Sequence, residues 1–457
     1  MAGIGFRLQR LLNQGSYGGL LQAYIYSAII STGPWMLSIV GLALIGVAVR
    51  PFVSGVAITE FRCIVVYAYA ASLILTGAVQ LGTTRYLADR LFVHDSAALA
   101  PCYHWLGLLT LVSTGIIGAS LAWLAGLDLA HAIPAVVLLQ AISLTWMCML
   151  FLSAAKDYLA ICGAFALGYG VSVGACVLGA AQAGVPGMLW GFASGQVVLA
   201  TLIGVRIRAE FPGGSNLDGR VVGHWIGMPY LVLIGLFYNL GIWADKLVMW
   251  HGPGSEAVVG LLRVSPRYDA CMFFSYLTVV PAMALFLIRI EVAFYKHYAA
   301  FYSAITGGGD LATIMLAKQN MVAALRLSAV RLFKLQGTLT LGLVLLTPHL
   351  IAPLGLTDDH IPILRLALTG AFIQVLLQIT LVVLLYFDWQ RDTAWMTLIF
   401  AAANLLITRL LILGHESLAG LGYLAAGLIA LIFGLVILNR RIALLEFETF
   451  VKQAIKG

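Results

Sequence analysis

Apolar stretches of about twenty residues recur along this whole chain, separated by short polar connections. A helix rises 1.5 Å per residue, so about twenty apolar residues span the ~30 Å hydrocarbon layer of a bilayer. Twelve such spans are expected: 19–49, 61–82, 103–126, 132–152, 158–182, 185–205, 222–250, 270–290, 330–347, 362–386, 394–413 and 417–438. The ninth is marginal and borrows residues before Arg331. Strand-like alternation is absent and the segments are too long for tilted strands, which excludes a β-barrel. Only 10% of the 457 residues are charged and 61% are hydrophobic. A soluble domain carries roughly a quarter charged residues, so lipid is the solvent for most of this surface. The first stretch, from Leu20 to Val49, is too long for a cleavable signal peptide and is expected to stay as a span.

Basic residues orient the spans. With the N-terminus in the cytoplasm, 19 of the 26 Lys and Arg fall on the inside, among them Arg7, Arg10, Arg85, Arg90, Arg391, Arg440, Arg441 and Lys456. An even number of spans then places both termini in the cytoplasm. The formal charge of +7 is spread too thinly for a nucleic-acid footprint and suits loops facing anionic lipid.

The chain is expected to be all-α, with an N-terminal six-helix lobe at 1–208, a cytoplasmic linker at 209–221 and a C-terminal six-helix lobe at 222–457. Pro212, Gly213 and Gly214 mark the linker. Residues 291–329 form the other long cytoplasmic connection. Its aromatic, amphipathic start can lie on the membrane face or, through Tyr298 and Tyr302, meet a protein partner.

Motifs of catalysis are missing. There is no phosphate-binding GxxxxGK[ST] loop, no HExxH and no GxSxG, and no His, Asp and Glu cluster suggests a metal. No enzyme activity and no cofactor are expected. A membrane glycosyltransferase would need paired carboxylates, and Asp89 with Asp95 or Asp388 with Asp392 could be forced into that role. They sit on loops too short to carry a catalytic domain. The six cysteines, none in a CxxC, read as buried free thiols.

The remaining signals suit transport. Gly33 and Pro34 lie in the first span, Pro229 in the seventh and Pro281 in the eighth, where proline removes a helix hydrogen bond and marks a break, a gate or ordinary curvature. Gly187, Gly191 and Gly195 form a stripe for close helix packing. Asp245 and Lys246 interrupt the apolar run of the seventh span near its outer end. Ionisable groups in a membrane helix usually avoid lipid, so Asp245 is expected to face a hydrated route, with Tyr238 and Asn239 deeper on the same helix. Neighbouring helix positions point apart, which argues against a mutual ion pair and leaves Lys246 free to reach outward. Arg263, Arg267 or Arg409 would be the partners of a purely structural Asp245. On these grounds D245N is expected to lower transport at normal abundance, and K246Q to lower it less. Trp243 and Trp250 read as aromatics of the outer membrane belt. Glu60, Arg62, Arg409 and the pair Gln374 and Gln378, which share a helix face, complete the candidate pathway. Gln196 and Asn404 add uncharged polarity. These groups suit a sugar-handling cavity or, nearly as well, helix–helix hydrogen bonds.

Several long strings resemble one family. GIGFRLQRLL with STGPWMLSI, EFRCIVVYAYAASLILTG, TRYLADRLF, YNLGIWADKLVMW, SPRYDACMFFSYLTVVPAMALFLIRIE, LLYFD and LNRRIALLEFETF are together similar to the PelG family, over nearly the whole chain. That family is placed in the polysaccharide transporter branch of the MOP flippases. The resemblance implies two six-helix lobes around a central cavity, alternating access, and residence in a bacterial inner membrane. It implies export of the Pel polysaccharide, a partly de-acetylated aminosugar polymer of biofilm matrices. It also implies partnership with other inner-membrane Pel proteins and the cytoplasmic Pel glycosyltransferase. It transfers no residue roles. A flippase for small solutes or lipid-linked oligosaccharides, and a membrane scaffold for a polysaccharide synthase, stay open as alternatives. So does the drive: an ion gradient, polymer synthesis or a partner.

Overall fold

The computed structural model describes residues 17–214, 216–412 and 418–452. Arg7, Arg10, Ser215 and Lys456 lie outside the described residues. Among the described residues the architecture is all-α apart from one short hairpin, and ten helical segments are long and apolar enough to cross a membrane, by length and composition. One of the ten is itself two spans, and the first helix is a further apolar one, so the expected twelve crossings each have a helical counterpart.

The described chain divides into two compact units. The first gathers 1–232, 255–264 and 279–339; the second gathers 233–254, 265–278 and 340–457.

In the first unit, α1 (Tyr17–Ala48), α2 (Gly55–Phe92), α3 (Leu99–Leu124), α4 (Leu129–Ala155) and α5 (Tyr158–Glu210) carry the core. Ser54 starts α2 by accepting the Ala57 amide, which satisfies one open donor of the first turn. The 53-residue α5 turns back on itself at Gly184, where φ is 61° and ψ −133°, a backbone state that side chains with a Cβ avoid. Its two arms, 158–183 and 185–210, are the fifth and sixth spans. Here the glycine stripe does its packing: a Cβ on Gly187 would stand 2.1 Å from the Gly179 carbonyl oxygen. Phe61, Phe165, Tyr169 and Phe192 fill the centre, with Phe61 edge-on to Phe192 at 5.8 Å between centroids.

Pro34 does not interrupt α1. Pro229 does not sit inside its span either. It opens α7 (Pro229–Trp250), directly after a break at Met228 that ends the short α6 (Arg220–Gly227). Proline suits a first turn, where its missing N–H has no partner to lose. Strands β1 (Glu256–Val259) and β2 (Leu262–Val264) pair antiparallel in the connection that follows. Their turn belongs to the first unit, where the Leu261 amide donates to the Ala125 carbonyl at 2.8 Å.

The eighth span is not one helix. α8 (Pro266–Leu277) stops at Thr278, α9 (Val280–Phe286) begins with Pro281 in its first turn, and Leu287–Phe294 follow as a π-helix. α10 (Tyr295–Thr306) holds Tyr298 and Tyr302, whose ring centroids are 4.7 Å apart. α11 (Leu311–Leu350) runs unbroken through Arg331, so the marginal ninth span does take its missing length from residues before it.

The second unit is built on α7, α8, α12 (His360–Tyr386), α13 (Gln390–Ile412) and α14 (Leu421–Ala443), with α15 (Leu445–Lys452) after them. Arg441 ties its basic end together, bonding Asp392 at the start of α13 and Glu448 on α15.

Candidate functional site

The charged centre of the second unit lies on α7, within the membrane-spanning length. Asp245 is wholly buried and Lys246 almost so. Five residues separate Asp245 from the helix end at Trp250, a rise of about 7.5 Å. Contrary to the argument from helix spacing, the two form an ion pair, with Lys246 Nζ 3.0 Å from Asp245 Oδ2. The spacing rule describes where Cβ atoms point, and a four-carbon lysine stem is long enough to fold back past its neighbour. Lys246 therefore does not reach outward. Its ammonium also donates to the Ile242 carbonyl at 2.9 Å and to the Tyr276 hydroxyl at 3.1 Å.

Three other helices complete the shell. Tyr268 of α8 donates its phenol to Asp245 Oδ2. Asn404 of α13 donates to Asp245 Oδ1 at 3.0 Å and to the Gly241 carbonyl at 2.8 Å, while its own oxygen accepts from Thr408 at 3.1 Å. Tyr276 donates its hydroxyl to that of Tyr423 on α14 at 3.1 Å. The ammonium stands 5.1 Å from the ring centroids of both Tyr276 and Tyr423, and 5.9 Å from that of Trp243, where the negative ring faces add attraction. Close approach of α13 and α14 makes this convergence possible: a Cβ on Gly422 would collide with Thr408 Oγ1 at 2.1 Å. One carboxylate and one ammonium, each with several partners, form a locally neutral, desolvated cluster. Such a pair is held firmly but is costly to break one side at a time.

Arg263, Arg267 and Arg409 are not the partners of Asp245. Arg263 bonds Ser255 through Nε at 3.0 Å in the first unit, and Arg409 is exposed. Trp250 is not a belt residue. It is buried, with Nε1 3.0 Å from Asp269. Among the other pathway candidates, Gln374 donates to the Tyr238 hydroxyl at 2.9 Å, so these two meet across α12 and α7. Asn239 turns back onto its own helix at the Gly235 carbonyl, and Gln378 is half-buried. In the first unit Glu60 lies 3.4 Å from His131, and the Arg62 guanidinium occupies the space over Gly46. Gly33 packs on Cys162. The carboxylates weighed for a glycosyltransferase are engaged in pairs: Asp89 with Arg85, Asp95 with Arg90, Asp388 with Gln390 and Asp392 with Arg441. Among the described residues no group of His, Cys, Asp or Glu is arranged to hold a metal ion.

The sequence reading missed Tyr268, Tyr276 and Tyr423. One signal was available: in α8 the tyrosines at 268 and 276 stand eight residues apart, which puts them near one face of the helix.

The family profile of PelG, described as "Putative exopolysaccharide Exporter (EPS-E)", matches residues 1–450. The chain belongs to the PelG family. The family makes it a transport protein, and its long apolar helices suit a multi-pass place in the membrane. Its fold is that of the MOP superfamily. A MOP superfamily transporter from Pyrococcus furiosus superposes with a TM-score of 0.65 at 13% identity, covering 93% of this chain and 96% of its own. An outward-facing multidrug resistance MATE family transporter gives 0.60 at 13% identity, over 92% and 96%. An inward-facing one gives 0.59 at 13%, over 93% and 100%. No curated protein matches the sequence.

Proposed function

We propose that this PelG-family chain carries the Pel polysaccharide across the bacterial inner membrane by alternating access, in support of a biofilm matrix. The observation that carries the reading is the family match over residues 1–450, joined to a desolvated charged cluster inside a transmembrane unit. The six-helix lobes 1–208 and 222–457, joined at 209–221, are the moving parts in this reading. Asp245 and Tyr238 on α7, with Gln374 on α12, are the polar element of the second lobe. Both termini face the cytoplasm, as the distribution of basic residues favours. Labelling of single-cysteine variants S215C and T357C checks the orientation: 215 is expected inside and 357 outside, and the reverse result would overturn it.

The partners in this reading are the other inner-membrane Pel proteins and the cytoplasmic glycosyltransferase. The aromatic face of α10 supports a contact there, and crosslinkers at Tyr298 and Tyr302 are expected to capture one of them. Capture of lipid alone would favour a plain interfacial helix. The deciding experiment reconstitutes the complex with labelled sugar nucleotide. Polymer is expected in the lumen only when this chain is present, and undiminished translocation without it would defeat the reading.

A second reading, a membrane scaffold for the synthase, is favoured by one observation: Asp245 is fully satisfied by neighbouring side chains. In the same reconstitution a scaffold would be needed for polymer synthesis itself, not only for its passage.

A further inference from the structure

The second unit has a cavity of about 390 Å³ at the end opposite Arg391, Arg440 and Arg441. Its volume falls in the ~300–1,000 Å³ range of small-molecule sites. Met249 and Pro362 supply apolar wall, and Arg267, Asp358 and Asp359 supply charge, with Tyr268 also in the lining. A sugar ring is amphipathic in the same way, with C–H faces for an apolar wall and a rim of hydroxyls for carboxylates and a guanidinium.

The walls are set by bonds that a ligand would not need to supply. Asp269 accepts from Trp250 Nε1 at 3.0 Å and from the Ser265 amide at 3.1 Å, which fixes the start of α8, and with it Arg267 and Tyr268, against the end of α7. Thr357 Oγ1 lies 2.9 Å from His360 Nδ1, and the Ile361 amide donates to the Asp358 carbonyl at 3.0 Å, so the turn carrying both aspartates is closed onto the start of α12. A site whose walls are ordered beforehand loses little entropy on binding.

Two carboxylates against one guanidinium leave the lining net negative. It therefore disfavours a uronate or a phosphorylated sugar and accepts a neutral or amine-bearing one. Tyr268 adds a connection: it lines the cavity and its phenol donates to Asp245. A sugar seated there is one side chain from the buried ion pair.

We propose that this cavity is a saccharide-binding subsite for an uncharged or amine-bearing sugar residue of the exported chain, with Asp358, Asp359 and Arg267 as its polar contacts. The proposal rests on the export reading.

The test uses full-length protein in nanodiscs and three probes: short oligomers of a hexosamine, of its N-acetyl form, and of a uronate. Saturable binding of the first two is expected, with the uronate at least about tenfold weaker. The D358N/D359N variant is expected to weaken the hexosamine at least about tenfold and to narrow its margin over the uronate, with an unchanged unfolding temperature. If that variant is destabilised, R267Q is read instead: it leaves the lining more negative and should weaken the uronate further than the hexosamine. Absence of saturable binding, equal binding of the uronate, or indifference to every variant would overturn the subsite. The reconstituted export assay separates this from the broader reading: export that needs the chain while the cavity binds no sugar sinks only the subsite, and translocation independent of the chain sinks the export reading.

Discussion

The two units solve the burial of polar groups in different ways. Among the described residues of the first, these interior hydrogen bonds join uncharged groups: Tyr69 with Tyr169, Trp146 Nε1 on Ser72 at 3.1 Å, Gln196 on Ser172 at 3.4 Å. In the second, a full charge pair sits among tyrosines and an asparagine. Neutral hydrogen bonds inside a membrane protein contribute about 0.6 kcal/mol each on average, because the polar groups find other partners when one is lost. A buried charge has no such freedom. Removing its counter-charge leaves it in a medium that cannot solvate it, at a cost of about 3–5 kcal/mol. The first unit's polar groups thus behave as adhesive, and the second unit's pair as an all-or-none element.

That contrast can be broken most sharply at the pair. D245A and K246M are each expected to lower stability by about 3–5 kcal/mol, seen as a clear loss of unfolding temperature in detergent. The double variant D245A/K246M should recover part of that loss, since it leaves no lone charge. Additive losses would remove the ion-pair account. D245N alone keeps the shape and leaves Lys246 unpaired. With Asp245 buried, loss of abundance should accompany any loss of export, in place of the normal abundance expected from sequence.

Y268F should have the next largest effect. It removes a neutral donor to a charged acceptor, worth about 1.5–3 kcal/mol. A shift no larger than that of the first unit's variants would mean that the phenol is not needed to hold the carboxylate. Smallest of all should be Q196L, at about 0.5–1 kcal/mol, with export retained. A cost near that of K246M would show that the first unit also hides an obligatory polar element, and the contrast would fall.

Much of the fold could be read in the sequence because lipid imposes a simple rule. Every crossing must satisfy its own backbone hydrogen bonds in lipid and so is built from apolar helix, and the rule leaves its trace at each span. Departures from regular helix left weaker traces. Pro281 marked the interruption near residues 278–281, but nothing local announces the π-helix of Leu287–Phe294. The β1–β2 pair rests on a long-range bond from Leu261 to Ala125, which no local pattern encodes. At the site, Asp245 and Lys246 stood out as charges in an apolar run. What they touch is decided by α8, α13 and α14, three segments distant in sequence. The error over their pairing came from reasoning with Cβ directions and neglecting the reach of the lysine stem.

The reversal at Gly184 also bears on how the chain is made. The fifth and sixth spans share no loop, only a one-residue turn, so neither can leave the insertion machinery and settle while the other waits. They are expected to enter the bilayer together as a helical hairpin, with synthesis running through both arms before either is released sideways. An epitope or protease site spliced between Ala183 and Val185 would then interfere with biogenesis itself, whereas the same insert at 213–214, in a true connection, would be carried through.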